Sequence, residues 1–124
     1  VRWRQHYLAK GPLSPTRKRI ERLAELIDVP ALETNIWCAE ARSSALVSRA
    51  ARSTAVFEML LEEIRPAVVI AHGKHASALM AELRPAGQVF TVPHLSGLGS
   101  PKGFGWSDER LVALSQQANA ALQT

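Results

Sequence analysis

The 124-residue sequence has almost no cysteine. Its one cysteine, Cys38, excludes an intramolecular disulfide framework, so we expect a reducing, intracellular setting, most simply the cytoplasm. Residues 1–10 lack the uninterrupted apolar run of a signal sequence or a membrane span, because arginine, histidine and lysine interrupt them. Internal repeats and low-complexity tracts are also missing. These features predict a single globular domain over residues 1–124.

Sequence signatures of common cofactor sites are missing too. The glycine-rich stretch at 97–105 matches neither the phosphate-binding loop that ends in Gly-Lys-Ser/Thr nor the dinucleotide fingerprint of three spaced glycines. His72 and His75 form the only close pair of histidines, and one cysteine cannot complete a zinc site. We expect His75 to lie exposed on the first turn of a helix. The sequence therefore predicts neither a metal nor an organic cofactor.

Positive charge, by contrast, is present in excess and unevenly placed. The chain has 15 Lys and Arg against 11 Asp and Glu, and residues 1–52 hold ten of the basic side chains but only five of the acidic ones. Eleven of the basic residues are Arg, whose planar fork suits phosphate. This pattern favours a polyanionic partner, most simply nucleic acid. A solvated Arg-rich surface is the alternative, and charge alone does not decide between them.

Hydrophobic periodicity and turn residues predict alternating helices and strands. The first helix begins at Ser14-Pro15, as an N-cap and first helical residue, and ends before Pro30. Further along, the pattern predicts a strand at 32–37, an irregular segment at 39–52, a helix through 56–64, a strand at 67–71, a helix through 76–83, a strand at 88–92 and a helix from 107 to 122. This order indicates an α/β fold, specifically a three-layer α/β/α sandwich with a short central parallel sheet.

Polar side chains at the predicted strand ends are candidates for binding, since ligands of such sheets bind beyond the carboxyl ends of the strands. Asn35 is expected inside a strand between apolar neighbours, and its amide offers a donor beside an acceptor, as the edge of a pyrimidine base requires. His94 could donate a hydrogen bond to a developing anion, while Ser96 and the glycines leave backbone amides for phosphate. The alternatives are an asparagine that satisfies a loop and a histidine that organises one.

Residues 93–98, with the sequence PHLSGL, resemble a short motif that closes the site in the uracil-DNA glycosylase superfamily, where it reads His-Pro-Ser-Pro-Leu or Asn-Pro-Ser-Gly-Leu. The preceding elements agree in order, with Thr34-Asn35 at the end of one strand and Val68 to Lys74 as the next strand and turn. The resemblance covers roughly residues 30–124. It is moderately specific, because the short motif occurs in this strand context.

The resemblance implies recognition of a flipped damaged base in DNA and hydrolysis of its N-glycosidic bond in base excision repair. Within that family's scheme, Asn35 would recognise the edge of uracil. His94 would be catalytic, through a hydrogen bond to the base oxygen as negative charge develops. Ser96 and Gly97 would contact phosphate, and Leu98 would wedge into the space that the base leaves.

DNA is accordingly the expected partner, without a membrane, and the first helix adds expected phosphate contacts. Those contacts come from Arg17, Lys18, Arg19 and Arg22.

The family's first motif, which carries the Asp or Asn that positions the attacking water, is not recognisable before this helix. No acidic residue precedes Glu21, and Leu95 stands where the family usually has proline. We therefore expect a truncated or degenerate member with little activity, whose sheet is completed by a missing N-terminal segment or a partner chain. The alternatives are a non-catalytic DNA-binding or interaction module with the same fold and a small-molecule-binding α/β domain.

Overall fold

The computed structural model describes residues 13–37 and 53–124. Within them lie four helices and a two-stranded parallel sheet: α1 (Pro15–Leu26), α2 (Ala55–Ile64), β1 (Val68–His72), α3 (Lys74–Leu83), β2 (Gln88–Val92) and α4 (Asp108–Leu122). These elements confirm the predicted mixture of helices and parallel strands. The expectations for residues 1–12, for Cys38 and for the irregular segment at 39–52 lie outside the described residues. No helix within the described ranges is long and apolar enough to cross a membrane.

The first helix begins where the sequence predicts and ends slightly earlier. The Ser14 hydroxyl accepts a hydrogen bond from the Arg17 N–H, which caps α1 before Pro15. At the other end, Asn119 of α4 donates to the Leu26 carbonyl at 3.0 Å and accepts from the Asp28 N–H at 2.9 Å. One amide side chain therefore ends α1 and joins it to α4, against which α1 packs.

The two strands and the helix between them form a parallel β-α-β unit. β1 pairs with β2 in register from Val68 opposite Gln88 to His72 opposite Val92. The ladder extends one step further, because the Gly73 N–H donates to the Val92 carbonyl at 2.9 Å. The carboxyl ends of both strands therefore finish side by side at one edge of the sheet.

A small apolar core holds this unit in place. Phe57 of α2, Ala71 of β1 and Met80 of α3 are buried against one another, with Leu61 and Val89 packed at their edge. Both α2 and α3 then end at an Arg-Pro pair, in which the arginine adopts φ 48° and the following proline prevents helix continuation. The stops that the prolines predict are confirmed.

The strand predicted at 32–37 is wrong. Residues 31–35 have no regular secondary structure, residues 36 and 37 form a bend, and Leu32 is 63% exposed. The Glu33 side chain instead pairs with Arg17, which ties this segment to α1. Alternating apolar residues indicate a strand only where a neighbouring strand and a packed face support them, and within the described residues the sheet consists of β1 and β2 alone.

Candidate functional site

An open cleft of about 270 Å³ lies at the carboxyl edge of the sheet. Its walls come from the start of α1, from the segment at 33–35, from the last residue of β1 and from the turn after β2. The lining residues are Ser14, Thr16, Arg17, Ile20, Glu33, Asn35, His72 and His94. Cavities that bind drug-sized ligands usually measure about 300–1,000 Å³, so this cleft suits a smaller ligand such as one planar ring.

Two histidines pack against each other in this cleft. The ring centroids of His72 and His94 lie 4.4 Å apart with an interplanar angle of 51°. The Leu95 N–H donates to Nδ1 of His72 at 3.1 Å, and the Ser96 N–H donates to Nδ1 of His94 at 3.0 Å. A ring nitrogen that accepts an N–H carries no proton of its own, so these bonds assign both rings to the neutral tautomer with the proton on Nε2.

Electrostatics keep this pair neutral. Burial lowers the pKa of both His72 and His94, because the protonated rings would lose hydration. Repulsion from His94 lowers the pKa of His72 further, whereas the nearby Glu33 carboxylate acts in the opposite direction. Each ring therefore presents an uncharged N–H donor at neutral pH.

The turn after β2 is held from several sides. The His94 carbonyl accepts from the Gly97 N–H at 2.8 Å and from the Trp106 indole N–H at 3.0 Å. Leu95, at the position where the resembled family usually has proline, is 2% exposed, and its carbonyl accepts from the Arg19 guanidinium at 2.6 Å. Burial and the Arg19 bond thus restrain a turn that lacks the rigid proline ring.

Gly73 allows the turn to approach the sheet. Its φ of 95° lies in the region that favours glycine, and a Cβ at this position would stand 2.9 Å from Cδ2 of His94. The ring of His94 therefore occupies space that any other residue at position 73 would fill.

Asn35 lines the cleft, but its local structure differs from the one expected. It is exposed in an irregular segment, so its placement inside a strand is wrong, yet it lines the cleft together with His94. Glu33, two residues earlier, forms an ion pair with Arg17 at the same opening. The segment at 33–35 thus brings one amide and one carboxylate to the histidine pair.

The basic side chains of α1 have mixed surroundings. The carboxylate of Glu33 compensates Arg17, and Asp108 compensates Arg22 at 2.8 Å, a contact that lowers the pKa of Asp108. Arg19 has a neutral carbonyl as its partner and so keeps its net charge. Lys18 is exposed. Of the four side chains expected to contact phosphate, Arg17 and Arg22 are therefore paired with carboxylates, whereas Lys18 and Arg19 have no such partner among the described residues.

The rest of the closing segment combines an exposed apolar side chain with an occupied hydroxyl. Leu98 is 81% exposed, more than any other large apolar side chain in the described ranges. The Ser96 hydroxyl lies 2.8 Å from Nδ1 of His94 and accepts from the Leu98 N–H at 3.1 Å. Ser96 thus organises the turn through its hydroxyl, and Gly97, with φ 84°, completes that turn.

Of the eight lining residues, Arg17, Asn35 and His94 were candidates from sequence and five were not, among them His72 and Glu33. His72 had one available signal, its position directly after the strand predicted at 67–71. No sequence signal pointed to Glu33, because its position depends on an ion pair with Arg17, which is distant in the sequence. His75 lies on the first turn of α3 as expected, but it is half-buried against Trp37, with ring centroids 5.0 Å apart, so its predicted exposure is wrong.

Comparisons with protein-family models, with curated proteins and with solved structures find no match to this chain. Among residues 13–37 and 53–124, no three His, Cys, Asp or Glu side chains are grouped closely enough to hold a metal ion. The chemistry of the cleft therefore has to be inferred from the residues that line it.

Proposed function

We propose that the cleft receives a pyrimidine base turned out of DNA and that the chain is a uracil-DNA glycosylase-like protein with the three-layer fold of that superfamily. The observation that carries the proposal is the meeting of Asn35 and His94. These two residues are separated in the chain by α2, β1, α3 and β2, yet they line one cleft at the carboxyl edge of the sheet. Each had been singled out from sequence for a different part of the same chemistry.

The chemistry of the two side chains is complementary to a pyrimidine-2,4-dione. The amide of Asn35 can accept from the ring N–H and donate to a neighbouring carbonyl of the base. The neutral imidazole of His94 can donate its Nε2–H to a base oxygen. When water attacks the sugar carbon, the carbon–nitrogen bond breaks and its electron pair moves onto the base, so this hydrogen bond strengthens as the reaction proceeds.

The same cleft favours recognition over fast hydrolysis. Glu33 is the one carboxylate that lines it within the described residues, and Arg17 holds that carboxylate in an ion pair. A paired carboxylate is a poor acceptor for the proton of the attacking water. We therefore expect slow uracil release, and a non-catalytic base-recognition module is the second candidate that this ion pair favours.

Binding of defined oligonucleotides tests the proposal. We expect the protein to bind a duplex with one dU opposite dG more tightly than the same duplex with dC in its place, because the mismatched dU leaves the stack at lower cost and dC lacks the N3–H and the O4 that the Asn35 amide would contact. Asn35→Ala and His94→Ala should each remove about tenfold or more of that preference, since a well-placed base contact contributes about 1–3 kcal/mol of discrimination. His75→Ala, outside the cleft, is the matched control. Equal affinity of the wild-type protein for both duplexes would refute base recognition. If the preference is observed, single-turnover uracil release separates a slow enzyme from a non-catalytic binding module.

Leu98 provides an independent test of base flipping. A wedge helps only where a base must leave the stack, so Leu98→Ala should weaken binding to the dU duplex more than binding to a dU single strand. Because the side chain is 81% exposed, the substitution should leave stability nearly unchanged. Equal losses on the two substrates would show that Leu98 is no wedge.

A further inference from the structure

His72 has a role in the cleft that the proposed function does not yet include. It ends β1, lines the cleft and packs its ring on that of His94. Its Nδ1 already accepts the Leu95 N–H at 3.1 Å. The remaining polar atom of the ring is Nε2, which the tautomer assignment leaves protonated and which has no hydrogen-bond partner among the described residues.

We propose that His72 is a second hydrogen-bond donor to the bound base, so that the Nε2–H groups of His72 and His94 together serve the oxygen on which negative charge develops. This inference rests on the proposed function and deepens it. A carbonyl oxygen has two lone pairs and accepts two N–H donors. Two donors placed before the reaction stabilise the departing base more than one does.

The surroundings of His72 suit a donor whose direction is set in advance. The strand end fixes its backbone, the Leu95 N–H fixes its tautomer, and the ring of His94 limits its rotation. The charged groups facing it are Glu33 and, through the ion pair, Arg17. Of these two, Glu33 acts on His72 and repels an anion, so this part of the cleft suits an uncharged base better than a phosphate.

Two substitutions separate a donor role from a purely structural one. The amide oxygen of His72→Asn stands near the Nδ1 position, so it can still accept the Leu95 N–H, but the Nε2 donor is lost. The longer His72→Gln places an amide donor near the Nε2 position and leaves the Leu95 N–H unpaired. The first variant therefore tests the ligand contact and the second tests the structural contact.

The readouts are the ratio of affinities for the dU and dC duplexes (the dU-over-dC binding ratio) and the urea midpoint. A donor role predicts that His72→Asn loses about three- to tenfold of the ratio at nearly unchanged midpoint, as expected for one hydrogen bond. It also predicts that His72→Gln keeps most of the ratio at a lower midpoint. His75→Asn is the matched control, because it also replaces a half-buried histidine, and it should leave the ratio unchanged.

Each outcome decides the matter. A wild-type preference that survives in His72→Asn would overturn the role of His72 and leave the proposed function standing, whereas a wild-type protein without any preference would overturn both. Imidazole proton–nitrogen NMR of the wild-type protein gives a second measurement that needs no variant. The Nε2–H signal of His72 should shift on addition of the dU duplex but not of the fully paired dC duplex, and an unchanged signal would overturn the inference.

Discussion

Replacing Gly73 with alanine should disturb the cleft without replacing any residue that lines it. Gly73 follows β1 with φ 95° and ψ 162°, a conformation found almost only in glycine. The added Cβ would lie 2.9 Å from Cδ2 of His94, which is a ring atom in a restrained turn. The substitution therefore strains the backbone and displaces the imidazole at the same time.

The magnitude follows from these two costs. A non-glycine residue in this region of the backbone costs about 1–3 kcal/mol. Moving His94 off its rotamer costs about 0.5–1.5 kcal/mol more. The reduced entropy of the unfolded chain returns about 0.4–1 kcal/mol. We expect a net loss of roughly 1–3 kcal/mol, which is a large share of the roughly 5–15 kcal/mol that stabilises a typical domain.

Urea unfolding measures that loss as a lower midpoint at unchanged slope. Gly97→Ala is the matched control, because its φ of 84° is also positive but a Cβ there would meet nothing within 4 Å. It should cost about 1–2 kcal/mol from backbone strain alone. Gly73→Ala should in addition reduce the dU-over-dC binding ratio. If it unfolds like the wild-type protein and keeps that ratio, the contact between position 73 and His94 does not constrain the site.

Three further outcomes are expected. Leu95→Ala should lower the free energy of unfolding by about 2–5 kcal/mol in urea titrations, because this side chain is 2% exposed, and a loss below 1 kcal/mol would show that the turn does not depend on it. Asp108→Asn should release Arg22 for phosphate and steepen the logarithmic salt dependence of duplex binding by about 0.9, whereas an unchanged slope would mean that Arg22 does not face DNA. Stability should be complete above pH 6.5 and fall as the pH is lowered toward the depressed pKa values of His72 and His94, because the unfolded chain binds more protons there; greater stability at pH 5.5 than at pH 7.5 would contradict this.

Local signals predicted the helices and the paired strands well. Ser14-Pro15, Ser107, Pro66 and the strand at 88–92 all act within a few residues of where they stand, so capping, helix termination and β2 came out as expected. The segment at 32–37 did not, because its alternation needs a partner strand that the local pattern does not reveal.

In the candidate site too, features set by local sequence were predicted and contacts between distant residues were not. A position at a strand end is a local property, and His94 in the turn after β2 was predicted from it. The ion pairs of Arg17 and Arg22 join residues far apart in the chain. No spacing rule predicts pairs between such residues. The sequence therefore suggested four basic side chains of α1 for phosphate, although two of them are held in ion pairs.

The segment after β2 has a restrained part next to the cleft and a part with few contacts further along the chain. His94 and Leu95 are tied to the sheet, to α1 and to Trp106, whereas a Cβ added at Gly99, Gly103 or Gly105 would meet nothing within 4 Å. Residues 99–103 therefore form a stretch whose length can vary without repacking the cleft. A designer who wished to add a binding segment at this edge of the sheet could lengthen this stretch and leave the residues of the cleft unchanged.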